Sequence, residues 1–564
     1  MDLFTLLING AILLICAIFL RHSFIRGRYF LQMLQQHGYK THEYRSWIFT
    51  HFTTKVITTE HLLYNVVIAA LTLFISAKIT FLSGLIIMFV FTLFWFTTVG
   101  KFRADRDKKP LVFTARAKRL AVTLIVLLLP LYYYFGGFIF SNELFILSQN
   151  IQEPVGHFLT ADPYFLGFLL CFIDMAVPLL LFPAAWLMKP VESSIQNGFK
   201  KQAREKIASM PHLKVIAITG SYGKTSTKFV IDAFLKERLS VCVTPGSYNT
   251  PMGICKVINN DLEASHQVLI LEMGARYEGN IQELCNIAQP NISVITNVGI
   301  SHLETFGSHE AVAREKSTLA RVLKPGDTLI LNGDDDVVKE MGADRGDLKR
   351  ILTGQEHRQV WAENRTVDSN GTGFDMHWQE NNSHQTTRVN TRLLGDHNVQ
   401  NILQAAAVAR ELNIRIETIA VAASKMEPVE HRLELKKQGD LTIIDDAFNS
   451  NPIGAKNAVD ILASFDGGRK IIITPGMIEL GDLEEEENRA FGEHIGKSGI
   501  DLAILVGEEQ TYPIREGIES VQNSRQPEVK TVPSLFKAND LLQNYMEPGD
   551  VVLYENDLPD SYNE

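Results

Sequence analysis

Val215-Ile216-Ala217-Ile218-Thr219-Gly220-Ser221-Tyr222-Gly223-Lys224-Thr225-Ser226-Thr227 is the stretch whose reading decides the fold. Its four leading apolar residues predict a buried strand, its glycines a turn, and Lys228–Glu237 continues in a helix-like pattern. Strand, glycine-rich turn and helix is the layout that cradles a polyphosphate. Amides at the helix start face the anion, Lys224 offsets its charge, and the Thr225 hydroxyl is placed to hold Mg²⁺. The loop reads T-G-x-x-G-K-T, with Ile218 where the strict Walker box has its first glycine. A bare G-K-[ST] triplet is common by chance, and the flanking strand and helix are what separate this one from a plain turn. Gly220, Ser221, Gly223, Lys224, Thr225 and Ser226 are the candidate nucleotide contacts.

Downstream of this loop, short β-rich runs alternate with helical patterns, which predicts parallel α/β sheets. Strand candidates end at Ile218, Glu272, Asn297, Asn332, Asp446, Thr474, Gly507 and Glu555. Ligand-binding groups in such sheets gather beyond the carboxyl ends of the strands. Glu272, Asn297, Asn332 and Asp445-Asp446 stand at those ends. Residues 360–389 are polar with short alternating runs and read as a small antiparallel patch or excursion; a boundary near Leu412–Arg415 separates two sheets.

The first 190 residues are different. Five apolar stretches, Phe4–Leu20, His61–Ala77, Thr80–Thr98, Leu120–Phe140 and Pro163–Met188, each approach the ~20 residues needed to cross a bilayer. The first lacks the basic start and small-residue cleavage site of a signal peptide. Lys and Arg crowd segments 21–60 and 101–119, whereas 141–162 has none. The positive-inside bias therefore predicts a multi-pass inner-membrane protein, N-terminus outside and everything after Met188 in the cytoplasm. Asp174, inside the fifth stretch, serves either helix packing or a substrate, and Pro178 and Pro183 interrupt that helix.

Charge and cysteine usage narrow the function. A formal net charge of −10 leaves no basic footprint, so no nucleic-acid partner is expected. The five cysteines are scattered without a C-x-x-C pair, which argues for reduced thiols and against a zinc or disulfide framework. The acidic run Asp482–Glu487 reads as a solvated helix start.

Ten motifs in order carry a resemblance: TGSYGKTST (219–227), SYNTPMG (247–253), LEMGARYEGNI (271–281), ITNVGISHLETFGS (295–308), VAREKS (312–317), LNGDDD (331–336), GDHNVQN (395–401), EHR (430–432), DDAFNSNP (445–452) and GMIELG (476–481). Over residues 195–564 the chain resembles the Mur ligases, ATP-dependent ligases that build the peptide of peptidoglycan, and within them the branch that adds D-alanyl-D-alanine. The resemblance implies a central ATP-binding domain over 195–412 and a Rossmann-like C-terminal domain over 413–564, behind a five-helix membrane domain over 1–190. It also implies that Thr225 and Glu272 hold a first Mg²⁺, that His302 helps hold a second, and that Lys316 is the lysine this superfamily often carbamylates into a metal ligand. Asn249 matches an active-site asparagine, His397 and Asn401 adenine-side positions, Arg432 a phosphate-contacting arginine, and Asp446 a ribose-side aspartate, with Asn332 beside the nucleotide.

Two departures fall on the acceptor side. Phe448 replaces a tyrosine of the DDxYNANP-like motif, and the segment around Glu555 replaces a lysine-containing strand end. The region that grips a UDP-sugar in relatives is here the apolar N-terminal region. The reading is an ADP-forming amide ligase, membrane-anchored, joining an amino acid or dipeptide to a carboxylate of an envelope precursor, possible lipid linkage included, with membrane lipid as a partner. The alternatives are the D-alanyl-D-alanine addition to a UDP-muramyl tripeptide, a polyglutamate-type polymerase, and a non-catalytic ATP-binding scaffold.

Overall fold

The apolar runs Ile216–Ile218, Leu269–Leu271 and Leu329–Leu331 are buried on both faces, which is what central parallel strands covered by helices on either side require. In a computed structural model the chain is described over residues 3–59, 63, 93, 102, 111–148 and 163–556, apart from 247, 300–302, 355–357, 369–370, 381–382, 429–430, 448–450, 466, 479 and 523–525. It divides into two units, Met1–Ile195 and Gln196–Glu564.

In the second unit the first sheet contains β1 (Lys214–Thr219), β2 (Val241–Val243), β3 (Val268–Glu272), β4 (Ile292–Ile295), β5 (Thr328–Asn332), β6 (Lys349–Gly354), β7 (Val360–Asp368), β8 (Gly371–Glu380) and β9 (Ser383–Thr391). Their order is β2-β3-β1-β4-β5-β6-β7-β8-β9. Pairing is parallel from β2 to β7 and antiparallel across β7-β8-β9. The polar segment 360–389 is thus an antiparallel extension of the nucleotide-binding sheet rather than a separate patch. Its alternating residues, such as Phe374, Met376 and Trp378, bury one face in the same core. Register sets Ile218 opposite Glu272, Thr219 opposite Ile295 and Asn332 opposite Thr353, so these strand ends share one edge.

The second sheet contains β10 (Glu434–Gln438), β11 (Leu441–Asp446), β12 (Lys470–Thr474), β13 (Leu502–Val506), β14 (Glu528–Val532) and β15 (Val551–Glu555), ordered β10-β11-β15-β12-β13-β14. Only the β10-β11 pair is antiparallel, and Asp446 lies opposite Glu555. Helix Ile416–Ser424, beyond the boundary expected at 412–415, buries Ile416, Ile419, Ala422 and Ala423 in the core of the first sheet. Helix caps follow local chemistry: Thr250 Oγ1 accepts from Gly253 N (3.2 Å) and Asn451 Oδ1 from Gly454 N (2.8 Å), each just before a proline at the first helical position. The glutamates after Asp482 occupy the first turn of helix Glu484–Lys497.

The first unit corrects the five-span expectation. Helices Leu3–Gln36, Ala115–Ser148 and Pro163–Ala208 cover three of the five apolar stretches, and the last runs through Pro178, Pro183 and Pro190. The stretches 61–77 and 80–98 lie outside the described residues except for Leu63 and Leu93. Among the described residues only Ile173–Ala208 is long and apolar enough to cross a membrane. The physical reason is that much of the apolarity is turned inward: Phe30, Leu34, Tyr44, Leu120, Leu124, Val177 and Leu181 form one core. Charge is buried there too, with Asp174 Oδ1 3.1 Å from His22 Nε2 and Asp174 Oδ2 3.4 Å from Arg26, all three at most 1% exposed. Arg26 also donates to the Val56 carbonyl (2.7 Å) and lies over the Phe30 and Phe102 rings. Asp174 is thus held among buried groups of the first unit. The stretch expected as a loop at 21–60 is largely helical, through Gln36 and again over Thr41–Thr50.

Candidate active site

The chain leaves β1 into a loop with no room for side chains at its glycines. A Cβ on Gly220 would stand 1.8 Å from Thr296 Oγ1 and 3.1 Å from Asn297 N. Gly223, at φ +75°, would bring one within 2.8 Å of Asn401 Oδ1. The loop is tied to the segment after β4: Tyr222 N donates to Asn297 Oδ1 (2.8 Å), and the Tyr222 carbonyl accepts from Thr296 Oγ1 (2.5 Å) and Asn297 Nδ2 (3.2 Å). Gly299 N donates to Ser221 Oγ (2.8 Å) and Ser221 N to the Asn297 carbonyl (3.0 Å). These bonds fix the backbone while helix Lys224–Lys236 begins, its first turn holding Thr225 and the half-buried Ser226. Lys224 Nζ donates to the carbonyls of Gly220 (2.7 Å) and Ser221 (2.9 Å), closing the loop on itself. Burial pulls its pKa down to about 8, with Glu272 opposing and Arg432 adding to the fall.

Glu272, the last residue of β3 and 1% exposed, is where the site converges. Its Oε2 accepts from Thr225 Oγ1 (2.9 Å) and Lys228 Nζ (3.3 Å), and its Oε1 from Asn249 Nδ2 (3.2 Å). Asn249 is held in turn by Gly274, whose N–H donates to the Asn249 carbonyl (3.1 Å) and where a Cβ would stand 2.8 Å from Asn249 Cγ. Lys316 is 5% exposed, and burial, then the charge of Lys224, holds its pKa well below the usual lysine range while Glu315 opposes. Glu315 itself caps helix Asn280–Ala288, accepting from Gly279 N (2.8 Å) and Ile281 N (2.6 Å). His302 lies outside the described residues.

The remaining candidates close the site from other directions. Asn332 Oδ1 accepts from Gln400 Nε2 (2.6 Å) and from Asp334 N (3.0 Å). On helix Asp396–Glu411, Asn401 Oδ1 accepts from Thr227 Oγ1 (2.9 Å), tying that helix to the phosphate-loop helix. His397 has its pKa lowered to about 4 by burial, against Asp396 and with Arg432, so it is a neutral imidazole at neutral pH. Its Nδ1 is buried and, among the described residues, has no hydrogen-bond partner. Arg432 precedes β10, and its pKa is lowered by burial while Glu272 of the first sheet and Asp446 of the second both oppose the fall. Asp446 accepts from Leu433 N (3.1 Å), and its pKa is raised by burial against that bond, Arg432 and a hydrogen bond with Glu555. Phe448 lies outside the described residues.

Sequence reading missed Lys228, Glu315, Gln400 and Asp335, whose Oδ2 accepts from Val298 N (2.9 Å) just after β4. For Lys228 a signal existed. It stands four residues after Lys224, on the same helix face. The others act through contacts far apart in the chain.

A phosphate loop on one parallel sheet, a buried strand-end carboxylate beside the loop hydroxyl, and an arginine shared with a second parallel sheet define an ATP-dependent enzyme of two α/β layers. The chain belongs to the Mur ligase family, whose members are ATP-dependent, ADP-forming amide ligases: residues 218–409 match the Mur ligase middle domain and 431–554 the Mur ligase glutamate ligase domain. It is 31% identical over 347 residues to the UDP-N-acetylmuramoyl-tripeptide–D-alanyl-D-alanine ligase of Bacillus subtilis, covering 61% of this chain and 72% of that one. To the enzyme of the same name from Mycobacterium tuberculosis it is 34% identical over 299 residues, 52% of this chain but only 57% of the relative. Among solved structures it is similar to MurF from Acinetobacter baumannii (TM-score 0.58, 25% identity, 64% of this chain and 77% of that). It is also similar to MurF ligase from Thermotoga maritima in complex with ADP (TM-score 0.56, 25% identity, 64% and 80%).

These relatives overturn the expected localisation. They are named for a reaction on a UDP-linked precursor, and one candidate span among the described residues does not make a multi-pass inner-membrane protein. Nothing in these relatives supports the lipid-linked acceptor or the lipid partner.

Proposed function

We propose that this chain is a D-alanyl-D-alanine-adding ligase, joining the dipeptide to the terminal carboxylate of a UDP-N-acetylmuramoyl tripeptide with ATP cleaved to ADP and phosphate. The observation that carries this reading is the convergence at Glu272 of Thr225, Asn249 and the charge of Arg432, together with the Bacillus subtilis and Mycobacterium tuberculosis relatives named for that reaction. In this reading the ATP-binding half runs from 195 through helix Ile416–Ser424, and the closing half follows it to 564.

The donors present fit a hard divalent cation, since Thr225 hydroxyl and Glu272 carboxylate oxygens lie 2.9 Å apart. Thr225 and Glu272 would hold one Mg²⁺, and His302 with a carbamylated Lys316 another; bound there, the metal neutralises charge on the transferring phosphoryl group. Lys224 and the loop segment Gly220, Ser221, Gly223 and Ser226 take the β/γ-phosphates. Asn332, the neutral His397 and Asn401 take the adenine side, and Asp446 the ribose. Arg432 reaches the phosphates from the second sheet.

The acceptor carboxylate oxygen attacks the γ-phosphorus and ADP leaves, giving an acyl phosphate. The dipeptide amine then attacks the acyl carbon, inorganic phosphate leaves, and the amine gives up its proton. The roles assigned to Asn249, Lys224, His302 and Lys316 in this reading are to position two anions and offset their charge. The test is phosphate release by the purified full chain with ATP, a UDP-N-acetylmuramoyl tripeptide and D-alanyl-D-alanine, with the product weighed by mass spectrometry. Release that needs both substrates is expected. Release with a different amine or acceptor only would overturn the substrate assignment while leaving the ligase.

A further inference from the structure

Lys228 is fully buried, yet the loop chemistry above gives it no phosphate to bind. Its ammonium lies 3.3 Å from Glu272 Oε2, the oxygen that also accepts from Thr225, and it donates to the carbonyl of Gly246 in the segment leading to Asn249. One cation thus joins the phosphate-loop helix, the end of β3 and the Asn249 segment. We propose that Lys228 is a resident counter-cation: it holds Glu272 against the Thr225 hydroxyl and keeps a free divalent ion from settling there, so that the metal enters with the nucleotide.

The physical argument is competition for one carboxylate. A buried carboxylate needs a cation, and the energy of leaving it alone is large. With Lys228 in contact, a lone divalent ion must push an ammonium aside and gains little; two unit charges at such distances repel strongly in a buried site. Nucleotide phosphates change the sum by adding negative charge on the other side of the metal. Lys224 and Arg432 also add positive charge around Glu272, which raises the same barrier, and Lys228 adds a direct contact to it. This inference rests on Glu272 being a metal ligand, as proposed above.

Mn²⁺ binding to the full chain, read by electron paramagnetic resonance or calorimetry, tests it. Lys228→Met without nucleotide is expected to bind Mn²⁺ at least tenfold more tightly than wild type, while Lys228→Arg behaves as wild type. A merely structural lysine gives the opposite sign, since loosening the site weakens metal binding. Equal or weaker Mn²⁺ affinity in folded Lys228→Met overturns the proposal. The wild type alone offers a second route if that variant does not fold: Mn²⁺ bound as tightly without ADP as with it overturns the proposal too. Glu272→Gln separates the two readings. If Mn²⁺ binding in the presence of ADP is unchanged by it, Glu272 is not a ligand and the underlying assignment fails, whereas failure of Lys228→Met alone leaves that assignment standing.

Discussion

The two sheets of the second unit end in opposite chemistry. At the carboxyl edge of the first, cations surround one carboxylate: Lys228 touches Glu272, and Lys224 and Arg432 both feel its charge. At the corresponding edge of the second, carboxylates cluster instead. Asp446 bonds Glu555 across the β11-β15 pair, and beside it Asp445 is held by His431 (2.9 Å) and Lys436 (2.6 Å). Arg432 is attracted to both edges. The lesson is that one edge gathers positive charge around a single buried carboxylate while the other gathers carboxylates, and the Arg432 guanidinium feels the charge of both.

The contrast breaks first if lysines at the two edges matter equally. Lys224→Met should lower ADP production on the order of a thousandfold, because the loop loses its fixed cation at the phosphates. Lys436→Met, whose partners Asp445 and Glu434 sit at the second edge, should change it less than about threefold, the range expected of an exposed ion pair. Comparable losses in steady-state assays would erase the distinction.

Backbone crowding gives an intermediate effect. Gly220→Ala forces a Cβ into Thr296 and the Asn297 backbone and should cost about 1–3 kcal/mol in urea unfolding. Gly439→Ala, at φ +63° in the β10-β11 turn with open space around it, should cost only the left-handed strain of about 1 kcal/mol. A larger loss at Gly439 would mean that the phosphate loop is the looser of the two turns.

The smallest effect is on stability against pH. Lys224 titrates at about 8 in the folded protein against 10.5 ordinarily, so the unfolded chain holds that proton more tightly and the buried charge costs stability below about pH 8. Lys224→Met, inactive, should therefore melt slightly higher than wild type at neutral pH. The gap should close as pH rises from about 8 to about 10.5, where the wild-type lysine loses its charge in both states. A gap that widens with pH would reverse the sign assigned to this lysine.

Much of this architecture was legible because it is local. Apolar runs ending in a polar residue gave the strand ends at Glu272, Asn332, Asp446 and Glu555, and strict alternation gave the antiparallel pairing near Phe374-Asp375-Met376. The first unit was misread for a stated reason. A window of apolar residues is the same whether lipid or protein covers it, and only the packing of Phe30, Leu124 and Val177 around a buried Arg26–Asp174–His22 group tells them apart. Lys228 was passed over because a lysine on a helix is ordinarily solvated, and nothing next to it in the chain announces Glu272.

By itself the sequence determined the phosphate loop, since Thr219 to Thr227 are contiguous and their conformation follows from glycine freedom and helix geometry. It also determined the family, through motifs that keep their order. Tertiary structure alone decided the hub at Glu272, which collects Thr225, Lys228, Asn249 and the charge of Arg432 from segments far apart in the chain. Parallel strands are joined by long crossovers, so the groups that meet at their carboxyl ends are distant in sequence. Their distances, and the burial that moves their protons, exist only once the sheets are packed.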